Sequence, residues 1–153
     1  MSRYDRALGR KPKTPPKLPP TPEDTVMGYV RKVWDIMEKA PGHDRYGTVE
    51  WAKKNEESAV AEAHHGLGQW LRNEWKMWEP ESEIAMFFGE LGIKHADDMS
   101  GIILTSFHRW MNGKPLELDA QVKYYQNYWK QVDSRVPNMI IDMAESLNNN
   151  LTE

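Results

Sequence analysis

The spacing of apolar residues along the chain is helical almost throughout. Intervals of three and four residues separate the apolar positions of successive segments, as on one face of an α-helix. The alternation of apolar and polar residues that is typical of a half-buried strand is not sustained over any stretch. The pattern predicts an all-α fold, a compact single-domain bundle of about five to seven helices.

Start and stop signals divide this pattern into elements. Thr21 and Pro22, followed by two acids, predict the start of a first helix, and Pro41-Gly42 predicts its end. Asp97 or Asp98 can cap a central helix that ends at Met111, and Pro137 predicts a break before a last amphipathic helix. The other predicted helices cover residues 48–54, 55–78 and 81–91, and a segment beginning at Asp119.

Two helical segments contain residues that need a special explanation. In the segment 55–78, His64 falls on the apolar stripe, where a neutral core imidazole is the expected role. Gly66 and Gly68 each cost roughly 1 kcal/mol relative to Ala inside a helix. We therefore expect a close approach of another group to the backbone there, or an interruption of the helix. In the central helix, a narrow polar strip holds Thr105, His108 and Arg109.

The charge distribution separates an N-terminal arm from the rest of the chain. Residues 1–20 carry six basic residues and one Asp, a net charge of +5, so the remainder carries −8 within the total of −3. Because this segment is also rich in proline, we predict a disordered arm over residues 1–20 and a helical domain over residues 21–150. The arm is either a solubilising tail or a segment that lies on the acidic surface of a partner or on a proline-reading module. The acidic domain excludes a specific nucleic-acid partner.

The composition also limits cofactors and location. The chain has no cysteine, so disulfides and thiolate metal sites are excluded, and a reducing compartment is favoured. It shows neither a signal peptide nor an apolar stretch long enough to cross a membrane. We expect a soluble cytoplasmic protein with no cofactor, no bound metal and no membrane partner.

A long motif resembles a family of small uncharacterised domains. It reads H-x-G-L-G-x-W-L-R-N-x-W-x-x-W, then G-I-x-H-x-D-D-M-S-x-I-I-L-x-S-x-H-R-x-x-N-G-K, and ends in Q-V-x-Y-Y-x-x-Y-W. The resemblance covers residues 55–130 and implies a shared helical fold, with no assigned activity, in bacterial and phage proteins. The chain departs from the expected pattern at Ala96, where relatives have proline, and at Lys76, where glycine is usual.

One set of polar residues is the candidate site. Two guanidiniums can hold a carboxylate or phosphate, and imidazole with carboxylate can bind a metal or act as a general base. The opposing interpretation is structural: Asp97 caps a helix, and the arginines pair with Asp97, Asp98 or Glu74 to join helices. The candidate ligand- or anion-binding residues are Arg72, Asn73, His95, Asp98, His108 and Arg109.

These observations support two functional hypotheses. The first is a non-enzymatic protein-interaction module or accessory factor, encoded by a phage or a bacterium, with Trp78, Tyr124 and Tyr128 as interface residues. The second is a small-ligand or metal-dependent enzyme that uses His64 with the candidate set. The sequence contains none of the common nucleotide-binding, hydrolase or metalloprotease motifs, and no catalytic residue is assigned. The second hypothesis requires these side chains to converge on one cleft.

Overall fold

A computed structural model describes residue 9, residues 17–39 and residues 45–151 of the chain, with the backbone alone at residues 45 and 46. Most of the predicted N-terminal arm and the Pro41-Gly42 stop lie outside the described residues. Within the described ranges, the chain consists of helices and short connections, with no strand. The predicted all-α fold is confirmed.

The helices succeed one another with short connections. They are α1 (Pro22–Lys39), α2 (Arg45–Lys53), α3 (Glu56–Ala63), a π-helical turn (His64–Gly68), α4 (Gln69–Glu74), α5 (Glu83–Glu90), α6 (Ala96–Met111) and α7 (Leu118–Leu151).

Helix α6 is the centre of the fold. It contacts α1, α3, the π turn, α4, α5 and α7, and most of its residues are buried. Ile102, Ile103 and Leu104 have no exposed surface, and Phe107 is 1% exposed. A helix that is apolar around most of its circumference is stable only when other elements cover it on several sides. The sequence prediction that this segment is the central helix is confirmed.

Side-chain caps fix the starts of several helices. Thr21 Oγ1 accepts a hydrogen bond from Asp24 N at 3.2 Å, and Asp24 Oδ2 accepts from Thr21 N at 2.9 Å. This reciprocal pair starts α1 where the sequence predicts it. Asn55 caps α3 by accepting from the backbone N–H groups of Glu57 and Ser58.

The predicted cap of the central helix is wrong. The N-cap is His95, and its side chain makes no capping hydrogen bond. Asp97 and Asp98 lie in the first turn, where a carboxylate interacts favourably with the helix dipole. Ala96 is the first helical residue, a position that suits proline because its N–H would have no partner within the helix. The proline that the resemblance leads us to expect in relatives would therefore fit at this position.

The predicted continuous helix over residues 55–78 is interrupted. Its middle forms the π turn, and an ideal Cβ at Gly68 would lie 3.0 Å from Arg72 Nη1 and 3.1 Å from the Ala63 carbonyl oxygen. The predicted interruption of the helix is therefore confirmed, and the predicted close approach is confirmed at Gly68, whereas an ideal Cβ at Gly66 would have no atom within 4 Å. Beyond α4, Lys76 has φ 55°, a left-handed conformation that glycine adopts without strain.

The predicted break at Pro137 is also wrong. Helix α7 continues through Pro137 to Leu151. Its first part packs on α6, whereas every residue from 133 to 151 is exposed. Proline removes one backbone donor and crowds the preceding turn, which usually ends or kinks a helix, but an exposed helix has room to bend around it.

Candidate functional site

The six candidate residues are divided among separate places on the bundle. Arg72 lies between the π turn and α6, with Asn73 beside it at the surface. His95 and Asp98 lie at the N-terminal end of α6, against α7. His108 and Arg109 lie at the other end of α6, against α3 and the residues that precede it.

Arg72 is a buried connection between helices and not an open anion site. Its side chain donates from Nη1 to Ser100 Oγ at 2.9 Å and from Nη2 to the His64 carbonyl at 2.9 Å. Its Nε lies 3.4 Å from Asp97 Oδ1, although it is not aligned for a hydrogen bond. The predicted pairing of Arg72 with Asp97 is therefore present, and Arg72 is only 4% exposed.

His64 belongs to this polar cluster. Its Nδ1 lies 3.5 Å from Arg72 Nη1, and its Nε2 lies 4.0 Å from Asp97 Oδ1. The ring also makes an edge contact with His65. The predicted place of His64 in the core, bonded to a carbonyl, is wrong, because the ring is only partly buried and contacts Arg72 and Asp97.

His95 and Asp98 both contact Trp129 of α7. The His95 and Trp129 rings stack with centroids 3.7 Å apart and an interplanar angle of 19°. Trp129 Nε1 donates to Asp98 Oδ2 at 2.7 Å. Burial raises the pKa of Asp98 above its ordinary value, and this hydrogen bond opposes the rise. Together these contacts attach the start of α6 to α7.

His108 and Arg109 connect α6 to α3 and to the segment before it. His108 is buried, with Nε2 3.0 Å from the Lys54 carbonyl oxygen. Arg109 Nε donates to Glu56 Oε1 at 2.7 Å, and its Nη1 donates to the Leu116 carbonyl at 2.5 Å. The hydrogen bond from Arg109 is the main reason that the pKa of Glu56 is lowered.

Asn73 and the three predicted interface residues lie at the surface. Trp78, Tyr124 and Tyr128 are 59%, 66% and 51% exposed. Trp78 Nε1 donates to Asn73 Oδ1 at 3.3 Å, and the Arg72 guanidinium carbon lies 6.0 Å from the Trp78 ring centroid. An exposed aromatic side chain is available to a protein partner, since tryptophan and tyrosine are favoured at interface hot spots.

The geometry does not provide the single cleft that the enzyme hypothesis requires. Arg72 and Arg109 use their donors within the protein, and His108 is sealed against Lys54 and Trp51. In the described part of the chain, no three His, Asp or Glu side chains are arranged to hold a metal ion. Apart from Asn73, the candidate residues act as connections between helices or to the segments beside them.

A groove between α3, α6 and α7 has one of these residues, Asp98, in its lining, whereas His108 and Arg109 line a separate hollow beside the start of α3. The groove has a volume of about 530 Å³ and adjoins a second hollow of about 270 Å³, with which it shares Thr105, Tyr124 and Tyr125. Gly101 forms part of its floor, since an ideal Cβ there would lie 2.8 Å from Tyr125 Oη. Its lining also includes Glu56, Glu57, Val60, Ala61, His64, Asp97 and Asp98.

The groove combines acidic and aromatic groups. Of its four carboxylates, Glu56 is paired with Arg109 and Asp97 is close to Arg72, which leaves Glu57 and Asp98 as the larger source of negative potential. Burial, and after it the negative charge of Asp98, raises the pKa of Tyr125 to about 12. Tyr125 is therefore a neutral hydroxyl at any physiological pH.

Some of these contacts have a signal in the sequence and others have none. Tyr125 and Trp129 lie on the apolar stripe of α7 at helical spacing, so their burial against α6 is expected. Glu56 is a first-turn acid and carries no sign of its pairing with Arg109, which is 53 residues away along the chain. Ser100, which receives Arg72, is likewise a small polar residue without a distinguishing pattern.

The fold defines a small all-α domain built around one buried helix. Residues 47–111, from within α2 to the end of α6, match the model of a family described as a domain of unknown function (DUF6794). The predicted resemblance to an uncharacterised domain family is thus confirmed, although the match ends at Met111 and leaves the tyrosine-rich motif of α7 outside it. No curated protein and no solved structure matches the chain.

The described helices also lack a membrane-spanning candidate. None of them combines the length and the apolar character that crossing a bilayer needs.

Proposed function

We propose that this protein is a non-enzymatic interaction module that binds a protein partner in the groove between α3, α6 and α7. The observation that carries the proposal is the lining of the groove, where tyrosine side chains lie next to carboxylates. Such a surface suits a partner segment that presents lysine or arginine beside apolar residues. The basic group can pair with a carboxylate of the groove while the apolar residues pack on the tyrosine rings.

The exposure of the lining supports this function. Tyr124 is among the most exposed aromatic side chains of the described residues, although it lies next to the half-buried Tyr125, with ring centroids 5.2 Å apart. Tyrosine provides a large rigid contact area at a small cost in conformational entropy. The polar cluster of Arg72, His64 and Asp97 fixes the end of the groove, so its shape is established before a partner arrives.

Affinity capture from the native host, read by mass spectrometry, tests the proposal. Tyr124→Ala and Glu57→Lys alter the groove, and Glu79→Lys makes the same charge change in an exposed connection outside it. We expect a specific protein to be retained by the wild-type and Glu79→Lys proteins and lost from both groove variants. A set of captured proteins that is the same for all four would contradict the proposal.

The N-terminal arm has a proposed role in the same complex. Because residues 1–20 carry a net charge of +5, they complement an acidic surface on the partner. Deleting these residues is expected to weaken capture and to reduce its sensitivity to salt. Equal capture with and without them, at every salt concentration, would identify the segment as a solubilising tail.

The phage or bacterial origin and the cytoplasmic location remain predictions from the sequence. Their support is the family resemblance together with the cysteine-free composition. Immunodetection in fractionated cells of the native host tests the location.

A further inference from the structure

The apolar face of α7 continues beyond the bundle. Its residues alternate at spacings of four and three, which is the a/d pattern of a coiled coil. The first four of them, up to Trp129, pack on the bundle, and the last three are exposed. The complete series is Leu118, Val122, Tyr125, Trp129, Val132, Val136, Met139 and Met143.

The projecting part of α7 presents an unusually apolar surface to solvent. Its large apolar side chains, from Val136 to Leu151, are between 45% and 84% exposed. Residues 130–151 extend for about 33 Å as a helix, and because this segment contains Pro137 and three consecutive asparagines, its intrinsic helix stability in water is low. Burial of this stripe against another helix would supply the missing stabilisation.

We propose that the projecting parts of two copies of this chain pair as an antiparallel two-helix coiled coil. This pairing involves a face outside the groove and is independent of the partner proposed for the groove. Its centre of symmetry lies between Pro137 and Asn138. In this register, Val136 of each copy packs against Met139 of the other, and Val132 packs against Met143.

The charges beside the stripe favour a second copy as the occupant. Arg135 and Asp142 occupy equivalent positions next to the apolar face, one heptad apart. In the antiparallel register, Arg135 of each copy lies opposite Asp142 of the other, which forms two symmetric ion pairs. A parallel pair would instead place Arg135 beside Ile140 and Asp142 beside Leu147, and would bring both bundles to the same end.

A cleft at the end of the bundle is consistent with the same register. The cleft has a volume of about 450 Å³ and is lined by Gln126, Trp129, Lys94 and His95, among others. Antiparallel pairing brings Leu147 of the second copy opposite Gln126, at the mouth of this cleft. The tip of one helix therefore reaches a concave surface on the other copy.

Disulfide trapping tests both the pairing and its direction. Because the chain has no cysteine, Val132→Cys and Met143→Cys each introduce a single thiol. Under mild oxidation, we expect a cross-linked dimer from the mixture of the two variants and not from either alone. Met86→Cys, at an exposed methionine on α5, serves as the control for random collision. Cross-linking of each variant with itself would overturn the antiparallel arrangement, and no cross-link above the Met86→Cys control would overturn the pairing.

Charge reversal gives an independent measurement by sedimentation. The wild-type protein is expected to be a dimer, and Arg135→Asp is expected to weaken dimerisation by about tenfold. Arg135→Asp combined with Asp142→Arg should restore it. A wild-type protein that stays monomeric, because the N-terminal arm or a different protein covers the stripe, would overturn the proposal while leaving the groove experiment unaffected. Both sites are exposed, so the variants are expected to fold.

Discussion

Lys76 lies in the left-handed region of the backbone, with φ 55°. A side chain with a Cβ is strained there, and glycine is not. We predict that Lys76→Gly increases the free energy of unfolding by about 0.5–1 kcal/mol, after the greater freedom of glycine in the unfolded chain is subtracted. Urea unfolding measures the change. Lys76→Ala is the control, because it removes the same side chain and retains the strain; an equal gain in both variants would contradict the explanation.

Ala96 is the second residue at which a substitution should stabilise the fold. The preceding residue, His95, has φ −99° and ψ 130°, an extended conformation that a following proline requires. We predict that Ala96→Pro increases the free energy of unfolding by about 0.5–1 kcal/mol, because it restricts the unfolded chain. Thermal unfolding provides the measurement. A lower thermal midpoint for Ala96→Pro would mean that the buried site cannot accommodate the pyrrolidine ring.

At the residue scale, the sequence predicts the burial of a side chain from its position on a regular helix. This prediction fails where the number of residues per turn changes. Arg72 lies outside the apolar stripe on an α-helical wheel, yet it is buried, because the π turn rotates α4 relative to α3. No local pattern indicates a π turn, apart from the two glycines that make one tolerable.

At the scale of elements, the contact between α3 and α6 depends on pH through Glu56. Arg109 holds the pKa of this carboxyl below its ordinary value of 4.5, so the pair stabilises the folded state above that pH and the contribution is lost as the pH falls through the folded-state pKa. We predict that Glu56→Gln lowers the thermal midpoint at pH 7 and has a smaller effect at pH 3. Because Glu56 is partly exposed, the effect should also decrease with salt.

The matched control is Glu62→Gln, which removes a carboxylate of the same helix from an exposed ion pair with Lys54. We expect little change from it at either pH. Equal effects of the two substitutions would show that the Glu56–Arg109 pair has no special contribution.

Most helices could be predicted from the sequence, since start signals and spacing act locally. The central role of α6 can be inferred from its apolar circumference. The failures occur where the outcome depends on the environment. Pro137 does not end α7, because that part of the helix is exposed and can bend. Asp97 does not cap α6, because the helix begins earlier, after His95 in its extended conformation. The pairing of Glu56 with Arg109 joins distant parts of the chain, so no local pattern reveals it.

At the scale of the whole molecule, the bundle and the projecting part of α7 are expected to be energetically separate. Residues 133–151 are exposed, whereas Tyr125 and Trp129 contact α6 and its N-cap. We predict that a chain ending at Asp133 unfolds with a free energy within about 0.5 kcal/mol of the full-length protein, at concentrations too low for self-association. Denaturant unfolding measures this value.

A chain ending at Tyr124 is the comparison. It lacks the Tyr125 and Trp129 contacts and is expected to lose several kcal/mol, as is typical for removal of large buried aromatic groups. If the two truncations were equally unstable, the projecting helix would be part of the bundle. This outcome would also contradict the assumption that the projecting part of α7 is free to pair with a second copy of the chain.

For the candidate site, the sequence could predict which polar residues to consider but not where they lie in the fold. The sequence identified polar side chains next to apolar helical stripes, and the structure assigns most of them to contacts between helices. Their division among separate places depends on how the helices pack, which spacing along the chain does not encode. The groove, in contrast, is formed largely by residues that the sequence placed in the core or on the first turn of a helix.

The π turn between α3 and α4 has a consequence for comparing related chains. A turn that closes from residue i to i+5 accommodates one residue more than an α-helical turn of the same hand. A homologue that is one residue shorter between positions 63 and 69 would continue as a regular helix with its equivalent of Arg72 still facing Ser100, because the π turn rotates the chain about as far as an α-helical turn with one residue fewer. A difference of one residue in this short segment would then change the type of helix without moving the arginine, so an alignment of related chains should allow a one-residue gap there.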